Sequence, residues 1–123
     1  MKIPLQITFH QVDPSAALEA RIRELAARLE RYSDHITRCH VTVQAPHRHH
    51  QQGNLFDIHL DITVPGREIA IRRAHPADPS HEDPYVALRD AFRAARRKLQ
   101  DYERERFGVP KARAGQARGR LQE

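Results

Sequence analysis

The chain has 123 residues, 39% hydrophobic and 30% charged, with no Trp, which fits one soluble domain with a modest core. No apolar run approaches the roughly 20 residues that a membrane helix needs, and the opening MKIPLQITFHQ lacks the apolar stretch of a secretory signal. The lone Cys39 excludes an internal disulfide framework and a cysteine-based zinc site within one chain, and it favours the reducing cytoplasm.

The formal charge of +5 is concentrated late in the chain. Residues 84–100 carry five basic residues against one acidic, and residues 111–123 carry four against one. Clustered Lys and Arg favour an anionic partner, most often nucleic acid. The alternative for a charge run alone is a solvated helix face.

The first half of the chain predicts a strand, a helix and a second strand. Apolar residues alternate with polar ones from Ile3 to Phe9, which indicates a half-buried strand. Asp13-Pro14 is a favourable helix start, with Asp as N-cap, and apolar residues then recur at helical spacing over 14–32. Alternation returns from Arg38 to Ala45, and the polar segment from Pro46 to Gly53 predicts an exposed loop.

The second half predicts two more strands and a second helix. Strict alternation from Phe56 to Val64 indicates the third strand, a Pro65-Gly66 turn follows, and Ile69 and Ile71 mark the fourth strand. A proline-rich loop over 74–84 ends at Asp83-Pro84, which starts a helix that ends near Gly108.

The element order is therefore β-α-β-β-β-α. Each strand has one apolar face, and two amphipathic helices can cover it, so we predict a two-layer α+β fold with a four-stranded mixed sheet and both helices on one face. Right-handed crossover places the first two strands parallel if they are neighbours. We assign residues 1–108 to this domain and 109–123 to a basic, disordered tail.

The second helix carries the main candidate site. Arg89, Arg93, Arg96 and Arg97 lie at i, i+4, i+7 and i+8, which places them in one stripe beside the buried face, with Lys98 further round. Guanidinium forks match phosphate oxygens, so this stripe suits a folded RNA backbone. Arginines of the first helix, including Arg28 and Arg31, could flank it, but pairing with the interleaved glutamates is an equally good interpretation.

The histidines offer a second candidate. His40 and the Asp57-x-His59-x-Asp61 run share the polar sheet face and could hold a metal, although a solvated polar face with cross-strand pairs is the preferred interpretation. The segment from His47 to His50 could bind a metal loosely or contact phosphates, but an exposed loop is preferred. We predict no metal site and no cofactor.

The signatures of common enzymes are missing. The sequence contains no Gly-rich phosphate loop, no nucleophile elbow and no His-Glu-x-x-His motif. Cys39 falls on the apolar face of its strand, which favours an inert core residue over a nucleophile. We therefore predict a protein that is not an enzyme and has no small-molecule substrate.

Two segments resemble the ribosome hibernation-promoting factor family, which includes the ribosome-associated inhibitor A and the sigma-54 modulation proteins. They are Ala27-Arg28-Leu29-Glu30-Arg31-Tyr32 and Asp83-Pro84-Tyr85-Val86-Ala87-Leu88-Arg89, and with the element order the resemblance covers about 3–106. The sequence departs from the family pattern at Ala94 and Leu25, where the family has basic residues. Neighbouring Arg93, Arg96 and Lys98 could compensate.

The resemblance implies a partner and a mechanism. Members sit on the small ribosomal subunit near the decoding site, contact ribosomal RNA through basic helix residues and block translation in stress or stationary phase. By position, Arg28, Arg31 and Arg97 match basic positions of the family.

The sequence supports three hypotheses for the function. The first is a cytoplasmic, non-enzymatic factor that occludes the channel for messenger and transfer RNA. The second is a general structured-RNA-binding module. The third is a metal-binding protein or a metal-dependent enzyme that uses His40, Asp57, His59 and Asp61. The sequence leaves open whether the chain promotes or prevents pairing of ribosomes.

Overall fold

The computed structural model describes residues 3–45, 48–49, 53–54, 56–73 and 83–108. Its elements in chain order are β1 (Leu5–His10), α1 (Ala16–Leu29), β2 (Arg38–Gln44), β3 (Arg48–His49), β4 (Gly53–Asn54), β5 (Asp57–Val64), β6 (Arg67–Arg73) and α2 (Pro84–Phe107). The tail assigned to 109–123 and most of the loop over 74–84 lie outside the described residues.

Four strands form the main sheet in the order β1-β2-β5-β6. β1 and β2 are parallel, whereas β5 is antiparallel to both β2 and β6. The predicted mixed, four-stranded sheet and its parallel first pair are thus confirmed. The register aligns Val41 with Leu60 and Leu60 with Ile71, so the apolar residues of the three strands share one face.

Both helices pack on that apolar face and enclose the core. Strand side chains such as Val41, Ile58 and Leu60 are fully buried against helix side chains such as Ile22 and Leu88. Burying a side chain of this size contributes about 1.5–3 kcal/mol relative to exposing it. The predicted two-layer α+β architecture is confirmed.

The start of α1 differs from the prediction. Ser15, not Asp13, is the N-cap, since it is extended (φ −134°, ψ 121°) and its Oγ accepts a hydrogen bond from the Leu18 amide at 3.2 Å. Asp13 and Ser15 are both good caps and lie two residues apart. The helix also ends at Leu29, three residues before the predicted Tyr32, and a turn follows.

The two caps can be told apart by substitution. We expect Ser15→Ala to lower the free energy of unfolding by about 1 kcal/mol, because it removes the acceptor for the Leu18 amide. Asp13→Ala is the matched control and is expected to change it by less than about 0.5 kcal/mol. Urea denaturation measures both, and a larger loss for Asp13→Ala would contradict the assignment of the cap.

The segment predicted as a loop over 46–53 contains short strands instead. Residues of β3 and β4 pair antiparallel, with Arg48 opposite Asn54 and His49 opposite Gly53. β2 and β5 are antiparallel neighbours, so the two arms of their connection leave the sheet side by side and can continue pairing. The local sequence is polar and gives no alternation that would predict this.

Helix α2 begins and ends as predicted. The Asp83 carboxylate accepts a hydrogen bond from the Tyr85 amide at 2.9 Å, and Pro84 occupies the first turn. Gly108 terminates the helix in the left-handed region (φ 87°), where glycine carries no Cβ penalty. These caps define a helix of 24 residues, long enough to present several turns of charged side chains.

Candidate nucleic-acid interface

One side of α2 is buried and the other carries arginines. The buried side includes Leu88, Ala91, Phe92, Ala95 and Leu99. Successive residues of a helix turn by about 100°, so Arg89, Arg93, Arg96 and Arg97 fall within an arc of about 100° next to this side. We call these four residues the arginine row. The structure brings them together as the spacing predicts.

The middle of the arginine row is open to solvent. Arg93 and Arg97 are exposed, and neither forms an ion pair with any residue that the structure describes. Arg89 is exposed as well, with its Nη2 at 3.2 Å from Oδ1 of the adjacent Asp90. Exposed pairs of this kind contribute little to stability, so these guanidinium groups are available to an incoming anion.

Arg96 connects the arginine row to the end of α1. It is half-buried, and its guanidinium carbon lies 5.4 Å from the centroid of the Tyr32 ring. This cation–π contact holds the Arg96 stem against the turn that follows α1. The contact joins residues 64 positions apart, and nothing in the local sequence predicts it.

Lys98 lies beside one edge of the arginine row. It follows Arg97 by one residue and is therefore about 100° further round the helix. It lines one depression together with Arg97, Asp101 and Arg104, so it borders the Arg97 edge of the row. A ligand that contacts Arg97 can therefore reach Lys98 through this depression.

The arginines of α1 are largely paired with glutamates. Arg28 and Arg21 each lie 2.8 Å from Glu24, and Arg23 lies 2.8 Å from Glu19. Hydrogen bonding and charge from Arg21, with a further contribution from Arg28, lower the pKa of Glu24. Arg28 therefore forms the intrahelical pair that was the alternative interpretation, and because this pair is exposed and weak, contact of Arg28 with RNA stays a prediction.

Arg31 differs from Arg28 in its position. It lies in the turn after α1, is exposed and forms no ion pair within the described part of the chain. It directly precedes Tyr32, whose ring lies under Arg96. Arg31 is therefore the residue of the predicted first-helix pair that better fits an extension of the arginine row.

The polar face of the sheet is occupied by cross-strand contacts. His40 Nε2 lies 2.9 Å from Thr8 Oγ1, and Asp61 pairs with Arg72 at 2.8 Å. Burial and the nearby Arg72 charge lower the pKa of His59. Within the described residues, no three His, Cys, Asp or Glu side chains are grouped so that they could hold a metal. His47 and His50 lie outside the described residues.

Cys39 has the environment of a core residue, as the alternation predicts. It is 2% exposed, and burial, with a smaller contribution from the Asp61 charge, raises its pKa to about 12. The thiolate is the reactive form, so the native protein holds this thiol in an unreactive state.

This environment predicts a slow reaction with thiol reagents. At pH 8 we expect Ellman's reagent to label Cys39 slowly in the native protein and rapidly, with one thiol per chain, in urea. Absorbance at the wavelength of the released thiolate measures both rates. Complete labelling of the native protein within seconds would contradict the buried placement.

No helix in the described part of the chain is both long enough and apolar enough to span a membrane.

Comparison with curated protein sequences gave no match. Several solved structures share the fold, and two of them illustrate it. A ribosomal subunit interface protein from Coxiella burnetii aligns with a TM-score of 0.61 at 19% identity, over 82% of this chain and 98% of that one. The Thermus thermophilus Protein Y N-terminal domain aligns with a TM-score of 0.64 at 16% identity, over 83% of this chain and 99% of that one.

A protein-family model gives the assignment that these distant likenesses cannot give alone. The model describes the sigma 54 modulation protein / S30EA ribosomal protein family and matches residues 5–106, which run from the first residue of β1 to the last turn of α2. The match covers every strand and both helices, including the whole arginine row. The chain therefore belongs to the sigma 54 modulation protein / S30EA ribosomal protein family.

Proposed function

We propose that this protein is a non-enzymatic, cytoplasmic factor that binds the small ribosomal subunit near its decoding channel through the arginine row. There it excludes messenger and transfer RNA and so inhibits translation under stress or in stationary phase. Membership of a ribosomal protein family supports the ribosome as the partner. The similar fold of a protein described as a ribosomal subunit interface protein agrees with it.

The observation that carries this proposal is the exposed pair Arg93 and Arg97. A guanidinium can donate two parallel hydrogen bonds to a phosphate, and such charge-assisted bonds are about twice as strong as neutral ones. Both side chains project from a helix held by a buried core, so the row loses little backbone entropy on binding. Folded RNA presents phosphates in a fixed arrangement, and charge and shape dominate its recognition.

The remaining predicted residues have secondary places in this proposal. Arg89 and Arg96 extend the row, and Arg31 continues it beyond α1. Arg28 would exchange its exposed pair with Glu24 for a phosphate, and Lys98 would be reached through the depression that it shares with Arg97. The basic residues between Lys111 and Arg120 add positive charge after α2 that would favour the same anionic partner.

Sedimentation with ribosomes tests the proposal. The purified protein is mixed with ribosomes, run on sucrose gradients at low and moderate salt, and probed in each fraction. We expect it to migrate with small subunits and whole ribosomes and to be displaced by messenger RNA with transfer RNA. Protein that stays at the top of the gradient at both salts would reject the ribosome as partner. Equally tight binding to free hairpin RNA would favour a general structured-RNA-binding module instead.

A further inference from the structure

Three aromatic rings meet at the C-terminal end of α2. His35 and Phe107 are stacked, with ring centroids 4.0 Å apart and planes inclined by 10°. Tyr102 packs its edge against Phe107, with centroids 6.0 Å apart, and its hydroxyl donates a hydrogen bond to the Pro65 carbonyl at 2.9 Å. The stacked pair therefore packs against a buried tyrosine whose hydroxyl is hydrogen-bonded to the turn between β5 and β6.

A buried carboxylate fixes the orientation of the histidine. Glu103 is 2% exposed, and its Oε2 accepts a hydrogen bond from Ser33 Oγ at 2.6 Å and lies 2.8 Å from His35 Nδ1. The Ser33 hydroxyl in turn accepts a hydrogen bond from the His35 amide at 3.0 Å. Burying a carboxylate is costly unless it is hydrogen-bonded, so this arrangement is a strong constraint on a single imidazole ring.

The outer part of this stack is open to solvent. Phe107 is 45% exposed, and Tyr85 is the only other large hydrophobic side chain exposed in the described part of the chain. Burying the ring completely would be more favourable. A rigid aromatic surface that faces water is instead suited to a ligand that stacks on it.

The stack lies on the same side of α2 as the arginine row. Phe107 follows Arg96 by eleven residues, which corresponds to a rotation of about 20° and a rise of about 17 Å along the helix. Phosphates bound along the arginine row would therefore bring the attached nucleotides towards the rings. Arg104, one turn before Gly108, forms an exposed pair with Asp101 that adds no net charge beside the rings.

We propose that His35 and Phe107 form a stacking platform for an unpaired RNA base at the C-terminal end of the arginine row. This inference depends on the proposed function for its ligand. Proteins commonly bind unpaired bases by combining basic side chains that follow the backbone with aromatic side chains that stack on the bases. The Glu103 carboxylate is a positioning group, since it holds the His35 ring parallel to Phe107 without touching the RNA.

Two substitutions of Phe107 distinguish stacking on a base from apolar packing against Tyr102. Phe107→Leu keeps an apolar side chain against Tyr102 but cannot stack on a base, whereas Phe107→Trp keeps a flat ring. We expect Phe107→Leu to weaken binding to purified small ribosomal subunits about tenfold and Phe107→Trp to bind within about twofold of the parent protein. Unchanged affinity of Phe107→Leu would overturn the proposal, as would equal losses in both variants.

The absence of Trp from the sequence allows a direct optical test that does not depend on affinity. In Phe107→Trp the new indole is the sole tryptophan, and stacking on a base should quench its fluorescence when small subunits are added. The control is Gln6→Trp, at an exposed position on the polar face of the sheet. Equal responses of the two variants at saturation would contradict stacking.

The arginine variant makes the two proposals distinguishable. If Arg93→Glu/Arg97→Glu loses binding while Phe107→Leu retains it, the platform is wrong and the proposed function stands. If the parent protein itself does not bind small subunits, the proposed function fails, and the platform fails with it.

Discussion

Replacing Arg93 and Arg97 together by glutamate is expected to weaken binding to small ribosomal subunits by at least about a hundredfold at moderate salt. Each substitution removes a charge-assisted hydrogen bond, worth about 1.5–3 kcal/mol, and places a negative charge against phosphate. A plot of the logarithm of the affinity against the logarithm of the salt concentration should also be shallower, by the contribution of about two phosphate contacts. Both side chains are exposed, so the fold should be unaffected.

A matched control separates location from net charge. Arg38→Glu changes the charge as much as Arg93→Glu does, but Arg38 is exposed on the polar face of the sheet, opposite the face that α2 covers. We expect Arg93→Glu to weaken binding about tenfold or more and Arg38→Glu by less than about threefold. Circular dichroism and thermal melting establish that each variant is folded. Equal losses would mean that net charge, not the arginine row, determines binding.

Truncating the core beneath the arginine row is expected to have the largest effect on stability. Leu99 is fully buried on the inner side of α2, so Leu99→Ala should lower the free energy of unfolding by about 2–5 kcal/mol. The neighbouring Gln100 lies on the outer side, and Gln100→Ala should change it by less than about 0.5 kcal/mol. Urea denaturation measures both. A loss below about 1 kcal/mol for Leu99→Ala would contradict the orientation of α2.

Most of the fold could be predicted because its strands alternate so regularly. Every second residue from Ile58 to Val64 is buried, and shifting the register by one residue would bury Asp57 and His59 instead. The predicted elements were wrong where two local signals competed or where the local sequence carried no signal. Asp13 and Ser15 both suit an N-cap, and the polar sequence between β2 and β5 hides the short pair of strands that its antiparallel neighbours impose.

The candidate site could be predicted only in part, since helical spacing shows which residues share a face but not what each one contacts. The arginine row follows from spacing alone. The pairing of Arg28 with Glu24 was one of two interpretations of the same pattern, and the structure shows this pair, while contact of Arg28 with RNA stays a prediction. The contact of Arg96 with Tyr32 and that of Glu103 with His35 join residues more than 60 positions apart, so no local pattern contains them.

Directed cleavage of ribosomal RNA tests most directly whether α2 faces the decoding channel. The buried Cys39 leaves the parent protein nearly unreactive, so a tethered iron chelate can be attached selectively at Gln100→Cys, beside the arginine row, or at Gln6→Cys on the opposite face of the domain. With small subunits, hydroxyl radicals from position 100 are expected to cleave small-subunit RNA around the decoding site, and those from position 6 to leave these nucleotides intact. Cleavage of the same nucleotides from both positions, or of none near the decoding site from position 100, would contradict the proposed interface.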